Sequence, residues 1–423
     1  MFGKLWTEIE DIGRDAHSGG YRRYAWNDAD LEMREWFAGT AVARGLDYVE
    51  DGNGNQFAWW GSAAGGSAAV GSAAGGLTAG GLTAGGNALM VGSHLDSVPD
   101  GGAFDGPLGV VSSFVAVDEL VKDGFEPNRP IVIANFSDEE GARFGIACAG
   151  SQLLTGKLDP ERALSLTDRD GLSLAEVLRS LGRNPDRLGP DAEFLGRIGT
   201  FVELHVEQGK NLAYGDQGVG VASSIWPHGR YRFDFGGEAN HAGATAMADR
   251  RDPMLAFAAT VLAARERAVL REARATFGRI EVEPGGTNAI PSRVRAWLDA
   301  RAADADTLTR LVDELVAVAR AEAESTGTTV DFTAESVTGS VDFDGALRDD
   351  LSALLGDAPI LPTGAGHDAG VLSDYGIDTA MLFVRNPTGV SHSPAEFAEE
   401  SDCLAGVAAL KSVIAHLAGG DPP

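Results

Sequence analysis

The chain has 423 residues, 44% of them hydrophobic and 7% aromatic, enough for one large or, more naturally, two globular domains with a real core. Its 62 acidic residues against 34 Lys and Arg give a net charge of −28, which argues against nucleic-acid binding. The longest apolar runs, such as Met254 to Ala264, are too short and alanine-rich for a membrane span, and the N-terminus M-F-G-K-L-W-T-E-I-E-D puts acids where a signal peptide needs an apolar stretch, so a cytoplasmic protein is expected.

Residues 28 to 45 carry Leu31, Trp36, Phe37, Ala41 and Val42 at helical spacing, with Asp28 expected as the cap and Gly45 as the stop. Asp47 to Trp60 reads as a strand, a D-G-N-G-N turn and a second strand. Gly61 to Asn87 repeats G-S-A-A-G-G and then G-L-T-A-G with no charge, and is expected as a flexible loop between strands. A short apolar run, Ala88 to Val91, leads into G-S-H-L-D-S-V-P-D-G-G-A-F-D-G at 92–106. Pro107 then opens a helix to about Lys122, closed by Gly124. Pro130 to Phe136 reads as a strand buried on both faces and ends in Ser137-Asp138-Glu139-Glu140-Gly141. Thr200 to Leu204 is a further such strand, ending in His205-Val206-Glu207-Gln208-Gly209.

From about Ser223 the texture changes. Arg230 to Phe235, Arg279 to Glu283 and Val294 to Leu298 alternate polar and apolar, as an antiparallel sheet with one wet face requires. Two helical stretches intervene, Pro253 to Arg274 and Ala305 to Thr326. Strand, helix, strand, strand, helix, strand is the ferredoxin-like order. From about Ser340 the α/β texture returns, with a helix, a strand at Thr379 to Val384, the loop Asn386 to Glu396 and a last helix to about Leu417. The expected organisation is a metal-binding α/β domain in two parts, 1–222 and 339–423, with an α+β domain, 223–338, inserted between them.

The stretch 92–106 holds His94, Asp96, Asp100 and Asp105 with no Lys or Arg. Carboxylates crowded in this way repel unless they stay in water or share a cation, so His94 and Asp105 read as the start of a metal site. Five of the eight histidines, His94, His205, His241, His367 and His392, lie in polar, glycine-bearing segments. Several fall at predicted strand ends, where open α/β sheets bind ligands. Glu139 and Glu140 sit at such an end, where one can ligate a cation while its neighbour faces a substrate. Cys148 and Cys403 make neither a disulfide framework nor a CxxC zinc site and read as buried small hydrophobes.

H-L-D at 94–96, F-D-G at 104–106, D-E-E-G at 138–141, L-H-V-E-Q-G at 204–209 and S-H-S-P-A-E at 391–396 together resemble the M20 dinuclear metallopeptidases. G-E-A-N-H-A-G at 237–243, G-G-T-N-A-I-P at 285–291, L-D-A-R at 298–301 and G-A-G-H-D-A at 364–369 are similar to the amidohydrolase branch of N-carbamoyl-L-amino-acid hydrolases and allantoate amidohydrolases. The resemblance runs from about Leu5 to Ala418, broken by the low-complexity loop. It implies a mixed-sheet, phosphorylase/hydrolase-like zinc-peptidase domain with an inserted ferredoxin-like lid and dimerisation domain. It also implies two divalent cations per subunit, zinc or manganese, with cobalt or nickel as further options. Asp105 would bridge them, His94 and His205 would hold one, and Glu140 and His392 the other. Asp96 would orient His94, and Glu139 would be the general base. His241 would stabilise the oxyanion, while Asn288, Arg301, Gln208 and His367 would meet a small carboxylated ureido substrate. His228 stands where many relatives are expected to carry Gln, which leaves its contact with substrate open. The rival readings are an M20 aminopeptidase or aminoacylase, and a metal-binding homologue without catalysis.

Overall fold

The computed structural model describes residues 1–61 and 87–419, so the expected loop 61–87 lies outside the described residues except at its two ends. The chain divides into two compact units, Met1–Ser223 with Asp342–Pro423, and Ser224–Val341.

The first unit is built on a mixed sheet. Its strands run side by side in the order Asp47–Glu50, Gln56–Trp60, Ile131–Phe136, Ala88–His94, Ile198–Val206, Asp378–Val384 and Val219–Ile225, with Ile360–Thr363 paired to the last. The four from Ile131–Phe136 to Asp378–Val384 are parallel, and the flanking pairs are antiparallel. Parallel strands need both faces covered, which is why Ala88–His94 and Ile131–Phe136 are buried at every residue. The helix Pro107–Lys122 supplies much of that cover, packing Leu108, Val111, Phe114 and Val115 into the core. It lies so close to the sheet that a Cβ on Gly109 would sit 2.2 Å from the Leu204 carbonyl oxygen. Because the central strands point the same way, their carboxyl ends share one edge. His94 stands level with Phe136, and His205 with Phe383. The segments after Phe136 and Val384 leave the sheet at that same edge.

Several boundaries differ from the sequence reading. The helix Asp28–Ala43 is capped by Asn27, whose side chain accepts from the Asp30 N–H at 2.9 Å, so Asp28 lies inside the first turn. His205 lies within its strand rather than beyond it. Four short helices, Ala149–Thr155, Pro160–Ser165, Leu174–Ser180 and Ala192–Leu195, occupy a stretch where the sequence pattern predicts no element, because four to seven residues carry too few turns to show a period. The last helix, expected to about Leu417, spans Glu400–Ala418 and is long and apolar enough to cross a membrane by length and composition alone. Half of that window is buried inside the protein, and Cys403, Val407, Leu410, Val413 and Ile414 belong to the core of this unit.

The second unit is a four-stranded antiparallel sheet in the order Thr329–Thr338, His228–Gly236, Arg293–Arg301, Arg274–Glu283, with helices Pro253–Leu270 and Ala305–Ser325. This is the ferredoxin-like arrangement that the element order predicts. Tyr231, Phe233 and Phe235 are buried in alternation with their neighbours and pack with Val294, Ala296, Leu298, Phe257 and Leu311. The first helix ends earlier than expected. Glu272 turns left-handed (φ 52°), and the Ala273 N–H closes back on Ala268 at 2.9 Å, so Arg274 opens the next strand.

Candidate metal centre

In the first unit the edge of the sheet gathers His94, Asp105, Glu139, Glu140, His205, His367 and His392. Asp105 is the hub, and it is buried. Its Oδ1 lies 3.1 Å from His205 Nε2 and 3.6 Å from His94 Nε2, and its Oδ2 lies 3.5 Å from His392 Nε2. His392 Nε2 is in turn 3.6 Å from Glu140 Oε2. Two donor clusters result, His94–Asp105–His205 and Asp105–Glu140–His392, each with its ligand atoms within 4.8 Å of one another and sharing one carboxylate.

The donors are aimed by what lies behind them. His94 Nδ1 faces the Asp96 carbonyl at 3.2 Å and His205 Nδ1 faces the Val206 carbonyl at 2.8 Å. A proton on each Nδ1 leaves the Nε2 lone pair free to ligate. Both Nε2 atoms, with Glu140 Oε1, are buried and make no hydrogen bond despite the nearby carboxylate oxygens. The Asp96 carboxylate accepts the N–H groups of Glu139 and Glu140, each at 3.1 Å, and comes within 3.5 Å of His94 Nδ1. It therefore fixes the Glu pair as well as the imidazole. Glu396, in the loop that carries His392, accepts the N–H groups of Phe104 and Asp105 at 2.9 and 3.0 Å, tying that loop to the hub. The Gln208 amide, expected against substrate, donates to Asp105 Oδ2 at 2.6 Å. Asp100 stands apart, left-handed in its turn and paired with Arg22 at 3.0 Å.

Charge is strained accordingly. Burial, reinforced by neighbouring carboxylates, pushes Glu139 and Glu140 well above the usual carboxylate range. Burial also raises Glu396 to about 7, with Asp105 adding to it. Burial opposes charge on Asp105 too, but contacts with His205 and His94 hold it well below its ordinary value. Burial opposes charge on His94, yet Glu139, Asp105 and Asp96 outweigh it and hold the imidazole well above its usual range. Several buried acids around imidazoles with unpartnered Nε2 atoms fit divalent cations, which take over the charge that protons otherwise balance.

A third group, Glu203–His205–His367, shares His205. Glu203 already accepts from Ser93 Oγ at 2.7 Å and from the Ala369 N–H at 2.9 Å, so it braces the sheet beneath the centre. His367 is buried with its ring centroid 4.5 Å from that of His205, and burial with the His205 charge holds its pKa well below the ordinary value. Cys148 is buried, as expected of a small hydrophobe, and it also carries a contact that the sequence does not announce. Its thiol donates to Glu139 Oε1 at 3.2 Å, and burial with the Glu139 and Asp368 carboxylates pushes its pKa well up, so it stays protonated.

The other expected site residues lie in the second unit. His241 is exposed, and its Nδ1 accepts the N–H groups of Gly243 and Ala244 at 3.0 and 3.2 Å. Asn288 adjoins it, its carbonyl accepting the Ala242 N–H at 2.9 Å. Arg301 is opposite His228 across two antiparallel strands and makes a two-point contact with Asp299 at 2.8 and 3.0 Å. His228 Nδ1 faces the Trp226 carbonyl at 3.3 Å, and burial holds its pKa down.

One glycine tests the geometry of the hub. Gly106 has a φ of 83°, and a Cβ there would lie 2.5 Å from the His94 ring. Gly106→Ala should therefore displace the imidazole and weaken cation uptake by about tenfold or more, the cost of disturbing a ligand's support, measured by metal titration of the chelated protein.

A centre that shares one carboxylate between two His- and carboxylate-bearing clusters, at the carboxyl edge of a parallel sheet, is that of a metal-dependent hydrolase. The chain belongs to peptidase family M20/M25/M40, whose model matches residues 90–416. It is 35% identical to the N-carbamoyl-L-amino acid amidohydrolase of Geobacillus stearothermophilus, over 99% of each chain. It is 28% identical to the allantoate amidohydrolase of Escherichia coli, over 97% of this chain and 96% of that one. Among solved structures it is similar to an amidase of the hydantoinase/carbamoylase family from Burkholderia vietnamiensis, with a TM-score of 0.83 at 28% identity, covering 99% of this chain and 98% of the other.

Proposed function

We propose that the chain is an amidohydrolase dependent on two divalent cations, zinc or manganese, that cleaves the carbamoyl C–N bond of N-carbamoyl-L-amino acids or allantoate. The observation that carries the reading is the Asp105 carboxylate shared between His94 with His205 and Glu140 with His392, with Glu139 beside it. The family membership and the two amidohydrolase relatives support the choice of a ureido bond over a peptide bond.

A ureido carbonyl is a poor electrophile, and bound divalent cations would polarise it and lower the pKa of the attacking water. Glu139 takes a proton from that water and delivers it to the leaving nitrogen. Asp96 holds the Glu139 backbone in place while this happens. His241 stabilises the oxyanion, Asn288 and His367 orient the substrate, and Arg301 supplies the positive charge that binds its carboxylate. The second unit serves as lid and as the interface of a homodimer. The products are ammonia, carbon dioxide and an amino acid, or a ureidoglycine-type product from allantoate.

Ammonia release from allantoate, N-carbamoyl-L-amino acids and N-carbamoyl-β-alanine, run beside dipeptides and N-acyl amino acids, tests the assignment. Turnover of at least one ureido substrate is expected. Hydrolysis of peptide or acyl bonds with no ammonia from any ureido compound would transfer the chain to the aminopeptidase or aminoacylase reading.

A further inference from the structure

The segment that carries Glu139 folds back on the start of the helix Ala149–Thr155. The Cys148 N–H donates to the Glu139 carbonyl at 2.5 Å, Ala149 to Asp138 at 3.0 Å and Gly150 to Ser137 at 2.8 Å. From the other side the Glu139 N–H is held by Asp96 at 3.1 Å. The backbone of Glu139 is thus gripped from two directions, which leaves the two oxygens of its side chain to be placed. Cys148 is buried, free of any disulfide, and takes the left-handed conformation (φ 52°) that lets both its N–H and its thiol face Glu139. Its Sγ lies 3.2 Å from Oε1, while Oε2 lies 3.8 Å from His94 Nε2.

We infer that Cys148 is a positioning residue for Glu139, its thiol holding Oε1 so that Oε2 stays turned toward His94 and the metal centre. A thiol suits the task. It is a weak donor, so it fixes the rotamer of a carboxylate while withdrawing less basicity than an ammonium or guanidinium would. A base must stay within hydrogen-bond reach of the proton it removes, and a carboxylate free to rotate spends part of its time misdirected. The inference rests on the assignment of Glu139 as the base, but the contact itself does not.

The test has two arms on the metal-loaded, full-length protein. In infrared spectra the S–H stretch of Cys148, identified by its loss in Cys148→Ser, should lie below that of an unbonded thiol. It should rise in Glu139→Ala, which removes the acceptor. In kinetics Cys148→Ala should lower kcat by about fivefold, the worth of one modest hydrogen bond, with KM and metal content unchanged. Cys148→Ser, which keeps a donor at that position, should recover most of the loss. An S–H band that does not move in Glu139→Ala, a Cys148→Ala kcat within twofold of the parent, or a Ser variant no better than Ala would each overturn the inference. If no ureido substrate is turned over, the functional reading fails, and the infrared arm still decides the contact.

Discussion

Glu139→Gln should lower turnover by roughly 10² to 10⁴-fold, the usual worth of a positioned general base, while cation content stays that of the parent. The substitution keeps shape and volume but removes the group that accepts a proton. Neither donor cluster includes Glu139, so metal uptake has no reason to change. The side chain is buried, with Oε2 3.8 Å from His94 Nε2. Metal analysis beside steady-state kinetics checks both halves. A near-normal rate would remove Glu139 from the chemistry, and a loss of metal with the rate would make it a ligand instead.

Asp105→Ala should be the most damaging change to cation binding, because both clusters use this carboxylate. Cation affinity should fall by more than about 100-fold at both positions, and turnover should fall to background. His392→Ala makes the informative contrast. His392 serves one cluster and is half exposed, so its loss should empty one position and spare the other. Equilibrium dialysis with circular dichroism separates these outcomes from unfolding. If Asp105→Ala still bound cations as tightly as the parent, the shared-carboxylate account would be wrong.

Much of the centre was legible in the sequence because its ligands sit at the ends of apolar runs, and a parallel sheet brings such ends to one edge. Strand ends point in this way to His94, the Glu139–Glu140 pair and His205, the crowding of unpaired acids at 92–106 adds Asp105, and the motif resemblance picks out Glu140 and His392 as ligands. The ferredoxin-like unit was legible for a similar reason: two-residue alternation over Arg230 to Phe235 and Val294 to Leu298 fixes which face is buried. What the sequence did not show are contacts made by chain that folds back. Cys148 meets Glu139 through a left-handed residue at a helix start, and no spacing announces that. Glu396 holds the Asp105 amide across 291 positions. Asp96 was expected to orient His94, and its role on the Glu139 and Glu140 amides became visible only with the backbone. Gln208 offered an amide that suits substrate or carboxylate equally well, and geometry put it on Asp105.

Cations held on Asp105 should be required to break a ureido bond. The direct measurement is ammonia release by the purified chain before chelation, after chelation, and after stepwise return of zinc or manganese. Release from an N-carbamoyl-L-amino acid or allantoate should vanish on chelation and return in full at two cations per chain. Ammonia release that persists unchanged in the chelated protein would contradict it.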